Sequence, residues 1–319
     1  LRGRASGTMT EDAEEHDAAS GGRWPGGRAP PPVTRGSTSA RPRTHAERLR
    51  SRDGYFQPES VIRRVGNTPV TPFLGGGTAV LLQVAHPLVA AGVAEHSDYR
   101  RDLWSRLGRT LRTLYLITFG SKAEAEVAGA AVQAVHAHVH GRTRRDLGPF
   151  RAGTPYSAAD PELLLWVHAT LVEASLAAYQ RFERPLGPSE QEQYYREMTV
   201  VARLFGVPAE VLPRNLSEFR AYVEAQLASE TITVTEPARE IAAVILEAPL
   251  PALMRLFAPA HRLATAALLP ARLRDEYELR WSPLHAAALA ATVRPLRLTA
   301  WPVLLAASKL RPPLHATAA

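Results

Sequence analysis

Apolar residues recur every three or four positions along most of this chain, and strict alternation is nearly absent. Within Asp98–Phe119, the positions Leu103, Leu107, Leu111, Leu114 and Ile117 keep that spacing and predict an amphipathic helix. Ser121 followed by Glu124 is a capping-box pattern; it opens a helix over Lys122–His140, with Gly141 as its stop. Asp160 and Pro161 start a helix running to about Arg184. Ser189 with Glu192 opens Glu190–Phe205, which Gly206 closes, and Ser217–Ala228 and Glu236–Leu246 follow, the second capped by Thr235. Pro249, Pro251, Pro259 and Pro270 separate short helices before a last helical stretch over Pro283–Lys309. Glu230–Thr235 (ETITVT) alternates and reads as a connector or, at most, a short strand. No internal repeat stands out.

Two segments break the amphipathic pattern in opposite ways. Leu74–Ala94 (LGGGTAVLLQVAHPLVAAGVA) carries no formal charge and has the length of a membrane span. Its three glycines, Gln83, His86 and Pro87 argue against lipid exposure, and a helix apolar on every side also suits the buried centre of a bundle. At the other extreme, Leu1–Arg52 is rich in Gly, Pro, Ser, Thr and Arg, and its run Gly21–Arg35 cannot bury enough surface to offset chain entropy. The expected organisation is therefore all-α. A single multi-helix bundle domain with a buried cofactor pocket covers 53–310, between a disordered Gly/Pro/Arg-rich tail (1–52) and a C-terminal tail (311–319).

Composition sharpens this picture. With 45% hydrophobic and 22% charged residues the chain can build a sizeable core, and its dominance by Ala and Leu favours helix-on-helix packing over sandwiches. The net charge is +7, which can signal an anionic partner. The arginines are dispersed, however, and no compact basic block stands beside stacking aromatics, so a nucleic-acid partner is not expected. The absence of cysteine removes disulfides, thiolate metal sites and cysteine nucleophiles together. The N-terminus lacks the basic-then-apolar layout of a secretory signal. A cytoplasmic location is expected, with peripheral membrane contact through Leu296–Leu310, where Trp301 lies between Arg297 and Lys309.

The candidate chemistry rests on histidines. His86, His136, His138, His140 and His168 all fall in helical patterns with apolar neighbours. One such histidine is usually a hydrogen-bonded core residue; several in one bundle weaken that reading. His136 and His140, four apart, would share a helix face while His138 points elsewhere. Di-iron bundles need Glu-x-x-His, but Gln133, Gln83 and Leu165 stand three before His136, His86 and His168. The His-Glu-x-x-His pattern of zinc hydrolases is absent too. A haem needs one histidine and a large apolar slot, and Arg106, Arg109 and Arg112 form a stripe able to pair its propionates. The same stripe also reads as an ordinary solvated helix face.

Four segments together have a wider resemblance: Leu81–Asp102 (LLQVAHPLVAAGVAEHSDYRRD), Arg106–Gly120 (RLGRTLRTLYLITFG), Val135–Gly141 (VHAHVHG) and Asp160–Leu176 (DPELLLWVHATLVEASL). With Tyr194–Tyr195, Leu204–Pro208 (LFGVP) and Leu268–Arg274 (LLPARLR), they make the chain similar to latex-clearing proteins and MpaB-type oxygenases. That resemblance implies a helical haem-b protein that cleaves carbon–carbon double bonds of polyisoprenoids with dioxygen. It implies His136 as the proximal iron ligand and His168 as a second family histidine. The family's Arg-x-x-Lys-Thr motif matches Arg106, Arg109 and Thr110, or in an overlapping register Arg109, Arg112 and Thr113. Both registers put arginine where the rubber-cleaving enzymes have lysine, and arginine, which almost never deprotonates, is a poor iron ligand.

The expectation is thus a haem-b-dependent oxygenase for a hydrophobic, unsaturated or prenylated small molecule. His136 would bind iron, Arg106 and Arg109 would pair propionates or orient dioxygen, Thr110 would donate a hydrogen bond, and His86, His140, His168 and Arg112 would line the cofactor. The alternatives are a non-catalytic haem- or lipid-binding helical protein, or a bundle whose histidines are purely structural.

Overall fold

The computed structural model describes residues 43–68, 71–97, 103–247 and 258–293. They form helices α1 (His45–Arg50), α2 (Val61–Gly66), α3 (Gly76–Val84), α4 (Pro87–His96), α5 (Leu103–Phe119), α6 (Lys122–His138) and α7 (Pro161–Phe182). Then come α8 (Pro188–Leu204), α9 (Leu216–Ala228), α10 (Glu236–Glu247), α11 (Ala258–Leu268), α12 (Ala271–Glu276) and α13 (Pro283–Val293). A π-helical turn, Thr71–Gly75, leads into α3. The sheet among the described residues is an antiparallel pair, β1 (His140–Arg142) with β2 (Pro155–Ser157), in the register Gly141 opposite Tyr156. The fold class is all-α, as the apolar periodicity requires.

The buried centre is shared by α7 and the segment Leu74–Ala94, none of whose residues is exposed. Along α7, Leu163, Leu164, Leu165, Trp166, His168, Ala169, Thr170 and Val172 are all buried, so the helix is enclosed on every side. The expected single helix over Leu74–Ala94 is broken: Thr71–Val84 and Pro87–His96 meet at a bend of 105°. Pro87 has no N–H and biases the residue before it away from helical geometry. His86 accordingly is extended (φ −81°, ψ 117°), and its imidazole Nδ1 accepts from the Leu88 N–H at 3.2 Å as the N-cap of α4. The amide of His86 turns back to the Gln83 carbonyl, so the Leu82 carbonyl loses its helical donor. The indole of Trp166 takes that place, donating to Leu82 at 3.2 Å, and Tyr277 donates to the Leu81 carbonyl at 2.7 Å. No single described helix is long and apolar enough to cross a membrane.

The glycines ahead of the break permit close packing. A Cβ on Gly75 would lie 2.9 Å from the Ala178 Cβ, and one on Gly77 would lie 2.4 Å from the Thr265 hydroxyl. The backbone around α3 can therefore press against both α7 and α11.

Several boundaries differ from the sequence reading. The described unit begins at Arg43, ten residues before the expected domain start, because α1 is tied down. Arg48 makes two bonds to Glu124, at 2.9 and 2.7 Å, and buried Arg63 donates to the carbonyls of Arg48, Ser51 and Phe56. Helix α6 stops at His138, since Val139 is extended and the chain enters β1. His140 is therefore an exposed strand residue and does not share a helix face with His136, correcting that expectation. Glu230–Thr235 is a connector; Val234 donates to Glu276 at 2.7 Å. The hydroxyl of Thr235 has no hydrogen-bond partner and does not cap α10. The tail before residue 43, Asp98–Asp102, Pro249, Pro251, the continuation of the last helix to Lys309 and the membrane-contact stretch Leu296–Leu310 lie outside the described residues.

Candidate functional site

His168 lies in the middle of α7 and is 2% exposed. Neither of its ring nitrogens has a hydrogen-bond partner. Burial depresses its pKa to about 4, so the imidazole is neutral at physiological pH. One turn before it, Leu164 and Leu165 pack against Ala202 and Val207; one turn after it, Val172 packs in a cluster with Ile117, Ala125, Ala128 and Val201. The histidine thus sits in register between two apolar clusters that join α7 to α5, α6 and α8.

His136 lies on α6, which packs against the end of α8. Gly129 packs so closely that a Cβ there would meet the Leu204 carbonyl at 2.6 Å, and Gln133 donates to that carbonyl at 3.0 Å. His136 follows one turn later and is half-buried. Its Nδ1 is buried without a partner, and burial lowers its pKa. The turn Leu204–Val207 closing α8 is thus a common neighbour of the two histidine helices. The preceding residue, Val135, is 62% exposed. His138 is exposed and spends Nδ1 on the Ala134 carbonyl at 2.7 Å.

The remaining predicted positions are more dispersed. Half-buried Arg106 reaches back from α5 to the Ser97 hydroxyl at the end of α4. Burial, and then Arg109, lowers its pKa, but a guanidinium stays charged throughout the physiological range. Arg109 and Arg112 are exposed on α5. Thr110 is exposed as well, and its hydroxyl donates to the Arg106 carbonyl at 3.2 Å. His86 is buried at the α3–α4 bend, in tilted contact with Phe150 at 5.7 Å, and its pKa is depressed to about 4 by burial.

The structure adds a polar cluster that the sequence reading missed. Tyr156 of β2 donates to Glu95 at 2.6 Å, Nε2 of His96 lies 3.2 Å from the same hydroxyl, and Arg144 pairs with Glu95 at 3.2 Å. Gly92 and Gly141 leave room for the Tyr156 ring, and Val139 packs beside Gly92. The cluster therefore stands where α4 meets the end of α6, next to Ser97 and Arg106. Glu95 and His96 are adjacent in the motif AEHSDY, but Tyr156 is about sixty residues away and no local pattern pairs them.

Among the described residues no three His, Asp or Glu side chains gather around a point that would hold a bare metal ion. A neutral imidazole with an unused nitrogen in apolar surroundings is instead the donor that a haem iron takes. His136 and His168 have that chemistry.

Residues 63–298 match a family model described as the catalytic domain of ER-bound oxygenase mpaB/B′ and rubber oxygenase. The chain belongs to this family. His86, His136 and His168, the arginines of α5, and the Glu95–Tyr156 pair all fall within the matched region of the oxygenase domain. Two uncharacterized proteins, Rv2237 of Mycobacterium tuberculosis and Mb2261 of Mycobacterium bovis, are each 25% identical over 209 residues. The alignment covers 64% of this chain and 78% of each relative. No solved structure matches.

Proposed function

We propose that this member of the MpaB/rubber oxygenase family is a haem-b-dependent oxygenase. It acts with dioxygen on a hydrophobic, unsaturated or prenylated small molecule, by oxidative cleavage of a C=C bond. The observation that carries this reading is the unsatisfied imidazole of His136, whose Nδ1 is buried with no partner. An unsatisfied buried polar group costs about 1–3 kcal/mol, and a bound group that uses it removes that cost.

In this reading His136 holds the iron through its unpartnered imidazole. Bound haem supplies the redox-active iron at which dioxygen reacts. His168, kept neutral by burial, shapes the dry interior wall, and His86 fixes the bend that aims α4. Arg106, fixed by Ser97, pairs with a propionate or orients dioxygen. Arg109 and Arg112 act as outer cations; Thr110 and His140, both exposed, serve at the rim. With arginine in place of the motif lysine, the reading includes no distal protein ligand from α5 and favours a small substrate over rubber.

The test is the visible spectrum of the full chain expressed with ample haem. A Soret band is expected, with His136→Ala losing most of the haem and His138→Ala retaining it. His168→Ala should change the spectrum with less haem loss, and oxygen uptake with an unsaturated lipid should separate an oxygenase from a haem store. A colourless wild-type protein, or full haem in His136→Ala alongside loss in His168→Ala, overturns the assignment.

A further inference from the structure

On the side of α7 away from His168 there is a second feature that the oxygenase reading does not use. Trp166 and Ala177 stand about 200° and 180° around the helix from His168, so the two features are separated by the thickness of α7. A partly open cleft of about 70 Å³ lies there, walled by α3, α7, α9 and the α11–α12 joint. That is about half of the ~150 Å³ cavity that admits benzene, so it suits the end of a chain or a small branched molecule.

Most of the lining is apolar, including Trp166, Ala177 and Leu227. Three polar side chains interrupt it. Thr78 is 1% exposed, lines the cleft, and its hydroxyl has no hydrogen-bond partner. Thr170 donates its proton to the Val167 carbonyl at 2.7 Å, leaving its oxygen able only to accept. Glu173 lines the same space, and burial raises its pKa against the opposing pull of Arg220. One hydroxyl therefore needs a partner, one oxygen can accept, and a carboxyl group sits in apolar surroundings.

We propose that this cleft is a binding site for the hydroxyl-bearing end of an apolar molecule, an aliphatic alcohol. The alkyl part lies against Trp166, Ala177 and Leu227. The ligand hydroxyl accepts from Thr78 and donates its one proton to Glu173 or Thr170, so the Thr78 hydroxyl gains the partner it lacks. An anionic ligand of equal size is disfavoured, because a carboxylate would lose its hydration in a mostly apolar cleft whose lining residues include no cation.

The proposal is tested on the full chain as purified, by saturation-transfer NMR titration with 3-methylbutan-1-ol and, separately, 3-methylbutanoate at pH 7. The readout is equilibrium binding, so it does not depend on whether the chain carries haem. Saturable binding of the alcohol is expected, with the carboxylate at least about tenfold weaker. Thr78→Val removes one hydrogen bond and should weaken the alcohol about five- to tenfold. Ala177→Leu fills the cleft and should abolish binding while circular dichroism and the melting temperature show a folded protein. Alcohol binding unchanged in both variants, equal binding of the carboxylate, or no saturable binding to wild type overturns the proposal. If Ala177→Leu fails to fold, Thr78→Val alone decides.

Discussion

The Tyr156 hydroxyl donates to the Glu95 carboxylate over 2.6 Å, tying the strand pair to the last turn of α4. Tyr156 is buried, and both burial and the Glu95 bond raise its pKa, so the phenol remains the proton donor at neutral pH. Tyr156→Phe keeps the ring between Gly92 and Gly141 but leaves Glu95 only its Arg144 partner. A loss of about 1–2 kcal/mol in urea unfolding is expected. An unchanged midpoint would mean that water replaces the hydroxyl at no cost.

The bend at His86 gives stability a pH dependence. Burial lowers the His86 pKa from 6.5 to about 4, partly opposed by the charge of Asp160. Between those values the unfolded chain binds a proton that the native state refuses. Stability is therefore complete above about pH 6.5 and falls as the pH drops through 4, by at most about 3 kcal/mol from this group. Protonated Nδ1 also cannot accept from Leu88. His86→Asn retains an acceptor able to cap the helix and does not titrate. Urea unfolding at pH 7 and pH 5 should show a smaller difference in the variant than in wild type; equal differences would remove His86 as the source.

Gly129 sets propensity against packing. Alanine at this helical position gains up to about 1 kcal/mol in intrinsic preference. Its Cβ, however, would stand 2.6 Å from the Leu204 carbonyl, a backbone atom unable to swing aside. The expected net effect of Gly129→Ala is a loss of about 1–3 kcal/mol, since overpacking exceeds propensity. A thermal melt showing stabilisation would mean that α6 and α8 separate easily.

The start of the structured unit can be located by truncation. A chain beginning at Asp53 loses Arg48 and Ser51, and with them the pair to Glu124 and two of the three carbonyls that Arg63 uses. Arg63, 3% exposed, would keep fewer acceptors for a buried charge. Compared with a chain beginning at Arg43, a loss of about 2 kcal/mol or more is expected in denaturant unfolding. Equal stability of the two would return α1 to the tail.

By itself the sequence determined the helical class and most helix positions. Ser121 and Glu124, and Asp160 before Pro161, cap helices through contacts no more than three residues long, so their chemistry is local. The candidate histidines were also legible, because His168 sits in an unbroken apolar run whose burial follows from composition. What lay beyond reach were pairings across the chain. Whether Leu74–Ala94 runs straight depends on who satisfies the Leu82 carbonyl freed at the break, and the donor is Trp166 from a distant helix. His140 left the helix face it seemed to share with His136 because a strand partner, Ser157, competes for its backbone. Arg48 joined the folded unit through Glu124, and Glu95 gained a proton donor through Tyr156. Local propensity selects where helices form; tertiary structure decided which buried polar groups find partners and which, like His168 and Thr78, are left without one.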